Sequence, residues 1–245
     1  LTFLYFFLII TSYYVIKPGS RSLVLDYLGS RMVPYVDLWS ALLMGPMVAV
    51  FAYCVDRIEK RRLISLTFLV VITNLVAFWH LLQRSLPWSA AAFYVWVAIF
   101  SVLVVTMFWL VANDLYHHRE GKRLFGFIGS GGILGGIVGS SIAAGGAKLV
   151  GTANLLLISA ALQLGCWIVV QRLWRYVPDH IRNTQVASQA RSHQEPAGGS
   201  WVQLLTQSRY LLLLVGLVGI AKIISTLIYY QFNPFIEQMF PDQDA

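Results

Sequence analysis

Leu38–Val55 (LWSALLMGPMVAVFAYCV), then Asp56-Arg57-Ile58-Glu59-Lys60-Arg61-Arg62, then Leu63–Gln83 (LISLTFLVVITNLVAFWHLLQ): two apolar runs meet at a short connector in which only Ile58 is uncharged. A run of about 20 apolar residues spans the hydrocarbon core of a bilayer as a helix. Charges packed between two such runs mark the point where the chain leaves the bilayer and turns back. The same alternation continues on both sides. Apolar stretches cover 1–28, 90–112, 124–147, 153–173 and 210–232, which makes seven spans. Composition agrees, with 58% hydrophobic residues, 12% charged residues and a mean hydropathy of +0.67. So apolar a chain of 245 residues cannot hide its surface from water. The expected fold class is an all-α membrane protein, and the bilayer is its first partner.

The spans are not alike. The first is interrupted by Lys17-Pro18-Gly19-Ser20-Arg21 and then resumes, which predicts one long helix over 1–28 bent near Pro18 and Gly19. The second and third run over 38–55 and 63–83. The fifth contains Gly126, Gly129, Gly131, Gly132, Gly135, Gly136, Gly139, Gly145 and Gly146. Gly131/Gly135, Gly132/Gly136 and Gly135/Gly139 are small-xxx-small pairs, the signature of helices in close approach. A phosphate-binding loop is the competing reading. It fails because Gly121-Lys122 is followed by Arg123 and no strand precedes the glycines.

Residues 174–200 form the one long polar segment, and Trp201–Arg209 reads as a short interfacial helix before the last span. Three regions follow: a six-helix bundle over 1–173, a linker with its interfacial helix over 174–209, and the first helix of a second bundle over 210–245. Six spans, a linker and a further span is the layout of a carrier built from two six-helix halves. The expected remaining partner is the rest of that C-terminal half. The opening at Leu1, directly in apolar sequence, leads us to expect residues before it.

Loop charge sets orientation. The connectors between spans 2–3, 4–5 and 6–7 hold twelve Lys and Arg, whereas the opposite side holds five. Basic loops stay on the cytoplasmic side. The N-terminus and the 174–200 linker are therefore expected in the cytoplasm, and the protein in the inner membrane. A seven-helix receptor would have the opposite orientation. The net charge of +7 is spread between spans and not gathered on one element, so nucleic acid is not expected as a partner. Cys54 and Cys166 lie inside apolar runs and read as packing residues. No Ser-His-Asp, H-E-x-x-H or C-x-x-C arrangement occurs, so we expect no enzyme, no metal and no cofactor.

Charge inside a bilayer costs at least about 2.5–3.5 kcal/mol per group and needs a reason. Lys17 and Arg21 share one face of the first span, and Lys222 lies deep in the seventh. No Asp or Glu lies well inside any span so drawn. The expectation is an electropositive cavity that takes a small anionic solute, such as a nucleotide or phosphate ester. Arg21 would act as a forked donor, with Lys17 and Lys222 as point charges. The connector Asp56-Arg57-Ile58-Glu59-Lys60-Arg61-Arg62 resembles the D-R-x-x-x-R-R loop of major facilitator transporters. An acid at a helix end followed by bases suits a cytoplasmic gate, formed here by Asp56, Arg57 and Arg61 with Lys122 and Arg123.

A second resemblance is wider. Phe108-Trp109-Leu110-Val111-Ala112-Asn113, followed by Glu120-Gly121-Lys122-Arg123-Leu124-Phe125, resembles the fourth-to-fifth helix region of the ATP/ADP translocases. Those proteins are the nucleotide transporters of plastids and intracellular bacteria, with F-W-x-x-A-N and E-A-K-R-F patterns there. Lys17-Pro18-x-x-Arg21 and Ser208-Arg209-Tyr210-Leu211 are similar to that family's first-helix motif and seventh-span opening. The resemblance implies a major-facilitator-like bundle of twelve helices, an ATP/ADP antiporter-like activity, and Lys17, Arg21 and Asn113 as substrate contacts. One departure stands out. The translocases carry acids in the fourth and seventh helices, whereas Val97–Val105 and Ile224–Tyr230 contain none. A permease for another organic anion, or a non-transporting membrane sensor or scaffold of the same fold, is the alternative.

Overall fold

In a computed structural model, residues 1–84, 86–115, 118–175 and 209–239 are described; the side chains of Ser30, Asp56, Pro87, 113–125, Arg209 and 229–239 are not. Helices α1 (Thr2–Leu28), α2 (Val33–Arg57), α3 (Lys60–Leu82), α4 (Pro87–Leu115), α5 (His118–Val150), α6 (Leu155–Arg175) and α7 (Arg209–Met239) follow in chain order. Among the described residues there is no strand. Seven of the described helices are long and apolar enough to cross a membrane. This is an all-α membrane protein. The interfacial helix expected over 201–208 and most of the 174–200 linker lie outside the described residues.

The chain divides into two units, Leu1–Ile181 and Arg182–Ala245. The first holds α1–α6, and α1 is its axis, touching α4, α5 and α6. Helix α3 packs on α4 and α6, and α2 packs on α4. The second unit holds α7, an apolar helix with Lys222 thirteen residues from its start.

Lipid tails are as apolar as the side chains they meet, so close contact and hydrogen bonds must hold such helices together. The α1–α5 seam uses glycine for this. A Cβ on Gly135 would stand 2.6 Å from the Phe7 carbonyl oxygen, and one on Gly139 would stand 2.6 Å from the Thr11 carbonyl. Gly131 has the Phe3 ring and carbonyl at 3.1 Å. The expected small-xxx-small face is thus the surface that lets two backbones touch. Gly126, Gly129 and Gly145 have nothing within 4 Å of their Cβ positions and take no part.

The α1–α6 seam is polar at its centre. The Gln163 amide donates to the Ser12 hydroxyl (2.7 Å), and the Ser159 hydroxyl donates to the Ser12 carbonyl (2.9 Å). All three residues are buried. Aromatic rings fill the α1–α4 seam, with Tyr5 and Phe6 against Phe108 and Tyr13 against Phe100.

Helix α1 continues through Pro18 as one element, as expected. Proline removes one helical N–H, but neighbouring helices support the backbone in a membrane. Gly19 serves another purpose: a Cβ there would stand 2.7 Å from Thr152 Cγ2, so the α5–α6 turn sits directly on α1.

Helix α2 departs from expectation. It begins at Val33, five residues before the apolar run, with Pro34 in its first turn where a missing N–H costs nothing. Asp37 is therefore inside a membrane-spanning helix. The second span expected over 38–55 thus starts earlier and takes in Asp37 about one turn from its beginning. Helix α6 also extends two residues past the expected end, to Arg175.

Candidate functional site

Successive turns of α1 bring Tyr13, Tyr14, Lys17 and Arg21 onto one face. The face is held from both sides. The Tyr13 ring lies 6.3 Å from the Phe100 ring of α4. Tyr14 rests against the glycine face of α5, with its Cβ 2.8 Å from the position a Gly139 Cβ would occupy. The two tyrosine rings meet edge to face at 5.3 Å. Lys17 then folds back over both, its Nζ 5.4 Å from the Tyr13 centroid and 5.2 Å from the Tyr14 centroid. A ring quadrupole attracts an ammonium, worth about 0.5–1 kcal/mol at an exposed site. The lysine is thus oriented while staying exposed, without a carboxylate to neutralise it among the described residues. Arg21, half-buried, follows one turn on. This constellation can take flat aromatic surface on tyrosine and negative charge on two cations.

The acid that the sequence reading placed outside the membrane is nearby in the fold. The Tyr94 hydroxyl of α4 donates to Asp37 Oδ1 of α2 at 2.7 Å. Asp37 lies about one turn, and Arg21 about two turns, from the α1–α2 connection. Tyr35 and Asp37 break the hydropathy ahead of Leu38, which hides the start of α2 from the sequence and gives no sign of Tyr94. At this same end the Trp79 indole donates to Asn154 Oδ1 at 3.0 Å, tying α3 to the α5–α6 turn.

At the other end lies the expected gate. Arg57 folds back over the Tyr53 ring of its own helix, 5.0 Å from the centroid. Arg61 reaches across to α6, donating to Gln171 Oε1 at a long 3.5 Å, while Gln171 donates to the Ser65 hydroxyl at 2.7 Å. Arg62 pairs with Glu59 at 3.3 Å, an exposed contact of small worth. Among the described residues the expected gate therefore divides: Arg61 joins two helices, whereas Arg57 meets a ring of its own helix. The side chains of Asp56, Lys122, Arg123 and Asn113 lie outside the described set. Lys222 is on α7, in the second unit, and Lys17 and Arg21 are in the first. Among the described residues no group of His, Cys, Asp or Glu gathers to hold a metal.

Comparison with known proteins then decides the family. Residues 74–244, from α3 to the end of α7 and beyond, match the family described as TLC ATP/ADP transporter. The chain belongs to that family. ADP,ATP carrier protein 1 of Chlamydia muridarum (strain MoPn / Nigg) is 24% identical over 289 aligned positions, covering 98% of this chain and 54% of the relative. ADP,ATP carrier protein 1 of Chlamydia trachomatis serovar D matches with the same identity and the same coverage. The chain spans about half the length of these curated relatives. No solved structure matches. The translocase resemblance carried by Phe108-Trp109 and Ala112-Asn113 falls inside the matched region, whereas the Lys17–Arg21 face lies before it.

Proposed function

We propose that the chain is part of a nucleotide carrier that moves its anionic substrate by alternating access, with the Tyr13–Tyr14–Lys17–Arg21 face of α1 as its contact. The observation that carries this reading is Lys17 held over two tyrosine rings, one turn from Arg21, in a member of a transporter family. A nucleotide offers what that face accepts: a flat base for the rings and phosphates for the cations. Lys222 of α7 and Asn113 at the end of α4 are the proposed further contacts. Arg61, bridged to Gln171, with Asp56, Arg57, Lys122 and Arg123, forms the proposed cytoplasmic gate. The loop-charge bias supports an inner-membrane location with the N-terminus and linker cytoplasmic. Six spans, a linker and a seventh span support a major-facilitator-like arrangement. Carriage of a solute, and not catalysis, is the proposed role.

One observation favours a second reading. Helix α4 carries no acid over 97–105, unlike the translocases it resembles, so another organic anion fits the same face. Proteoliposomes made with the complete gene product and preloaded with unlabelled solute separate the readings. Labelled ATP and ADP accumulating by counterflow, well above empty vesicles, is the expected result. Counterflow of other organic anions but not of nucleotides supports the second reading. No counterflow with any anion contradicts both and leaves a membrane sensor or scaffold.

A further inference from the structure

A groove of about 900 Å³ lies between α3 and α6, lined at one end by Arg61, Ser65 and Gln171 and further in by Leu69, Ile72 and Trp167. It is separate from the α1 face that carries Lys17. Three features fix its character. Its charged residues, Glu59, Arg61 and Arg62, are gathered at one end, around the start of α3, with Gln171 beside them near the end of α6. Its length suits a bilayer, because Arg61 to Ile72 is eleven residues, or about 16 Å at 1.5 Å per residue. That is about half of a 30 Å hydrocarbon core, the depth of one leaflet. Its apolar wall is open, with Leu69 at 63% exposure and Leu66, also lining it, at 52%.

The charge at the mouth is positive. Arg62 and Glu59, which also line it, pair with each other at 3.3 Å and largely cancel. Arg61 is met by the neutral Gln171 amide oxygen at 3.5 Å, leaving its guanidinium charge uncompensated by a carboxylate among the described residues. Gln171 is itself held by Ser65, whose hydroxyl donates to the Arg61 carbonyl at 3.0 Å, so the mouth is built and not a loose array of side chains. Arg172, next to Gln171, is exposed and adds a second cation at that end of α6.

We infer that this groove binds an anionic phospholipid from the leaflet facing the α2–α3 connector, with its phosphate at Arg61 and an acyl chain along Leu66, Leu69, Ile72 and Trp167. A soluble phosphate would use the mouth but has no use for a leaflet-deep apolar wall. A zwitterionic lipid would fill the wall but gain less at the cation. The anionic lipid matches both.

Native mass spectrometry of the complete gene product in detergent, titrated with phosphatidylglycerol and phosphatidylcholine of identical chains, tests this. Phosphatidylglycerol should bind about fivefold tighter, the factor that one basic residue contributes near an anionic headgroup. Arg61→Gln should bring it down to the phosphatidylcholine level, and Leu69→Trp, which fills the groove, should weaken both lipids. Millimolar glycerol phosphate should leave the lipid adduct intact. Equal binding of the two lipids, an unchanged preference in Arg61→Gln, or displacement by glycerol phosphate overturns the inference. Should Arg61→Gln fail to fold, Leu69→Trp decides alone, and unaltered lipid binding by that variant overturns it.

Discussion

Gly139→Ala loses about 1–3 kcal/mol of stability and fails to give a monodisperse peak after detergent extraction, whereas Gly136→Ala behaves as wild type. The added methyl is the same in both. At Gly139 it would lie 2.6 Å from the Thr11 carbonyl oxygen and 2.8 Å from Tyr14 Cβ, atoms of the backbone and of a side-chain root that cannot rotate away. Relief requires α1 and α5 to separate, and that seam is the main contact of the axial helix. At Gly136 the nearest atom is Tyr14 Cε2 at 3.7 Å, an ordinary contact. Gly145→Ala, with nothing within 4 Å, should gain about 0.5–1 kcal/mol from helix propensity alone. Thermal melting of the three variants in one detergent checks the order. Equal melting temperatures for Gly139→Ala and Gly136→Ala would show that the seam is not close-packed.

Lys17→Gln reduces nucleotide uptake by about 10- to 100-fold, the equivalent of one charge-assisted hydrogen bond to phosphate. Its melting temperature stays unchanged. The two outcomes belong together. Lys17 is exposed and rests on tyrosine rings with no ion pair among the described residues, so removing its charge takes little from the fold. Lys17→Arg, which keeps the charge and the stacking on Tyr13 and Tyr14, retains most of the uptake. Initial rates in proteoliposomes, with melting curves on the same preparations, measure both. A large fall in melting temperature would make Lys17 a structural residue. Unchanged uptake would remove it from the site.

Much of the fold is readable in the sequence, because a bilayer leaves the chain few options. Once every backbone polar group must be satisfied within its own segment, apolar runs become helices and charged runs become turns. Helix α1 could be drawn through Pro18 and Gly19 for that reason, and its bounds at Thr2 and Leu28 agree. The spacing of Gly131, Gly135 and Gly139 announced a contact surface but not its partner, which only the fold identifies as Phe3, Phe7 and Thr11.

What escaped the reading were polar groups whose sense depends on a distant partner. Pro34 and Tyr35 lower the hydropathy, so the apolar run begins only at Leu38, just past Asp37, and nothing local points to Tyr94. Ser12, Ser159 and Gln163 look incidental within apolar runs, yet they join α1 to α6 at its buried centre. The site was half legible. Lys17 and Arg21 stood out by their cost in a membrane, but the tyrosines that orient Lys17 read as ordinary apolar positions.

The most direct test of the Lys17 face uses the unmodified protein. Amine-reactive labelling of the complete gene product, followed by peptide mass spectrometry, reports each lysine separately with and without saturating ATP. Contact at the α1 face predicts that ATP slows modification of Lys17 about fivefold or more, while Lys60, at the start of α3 and the opposite end of the bundle, reacts at its original rate. Equal rates at Lys17 with and without ATP would contradict it.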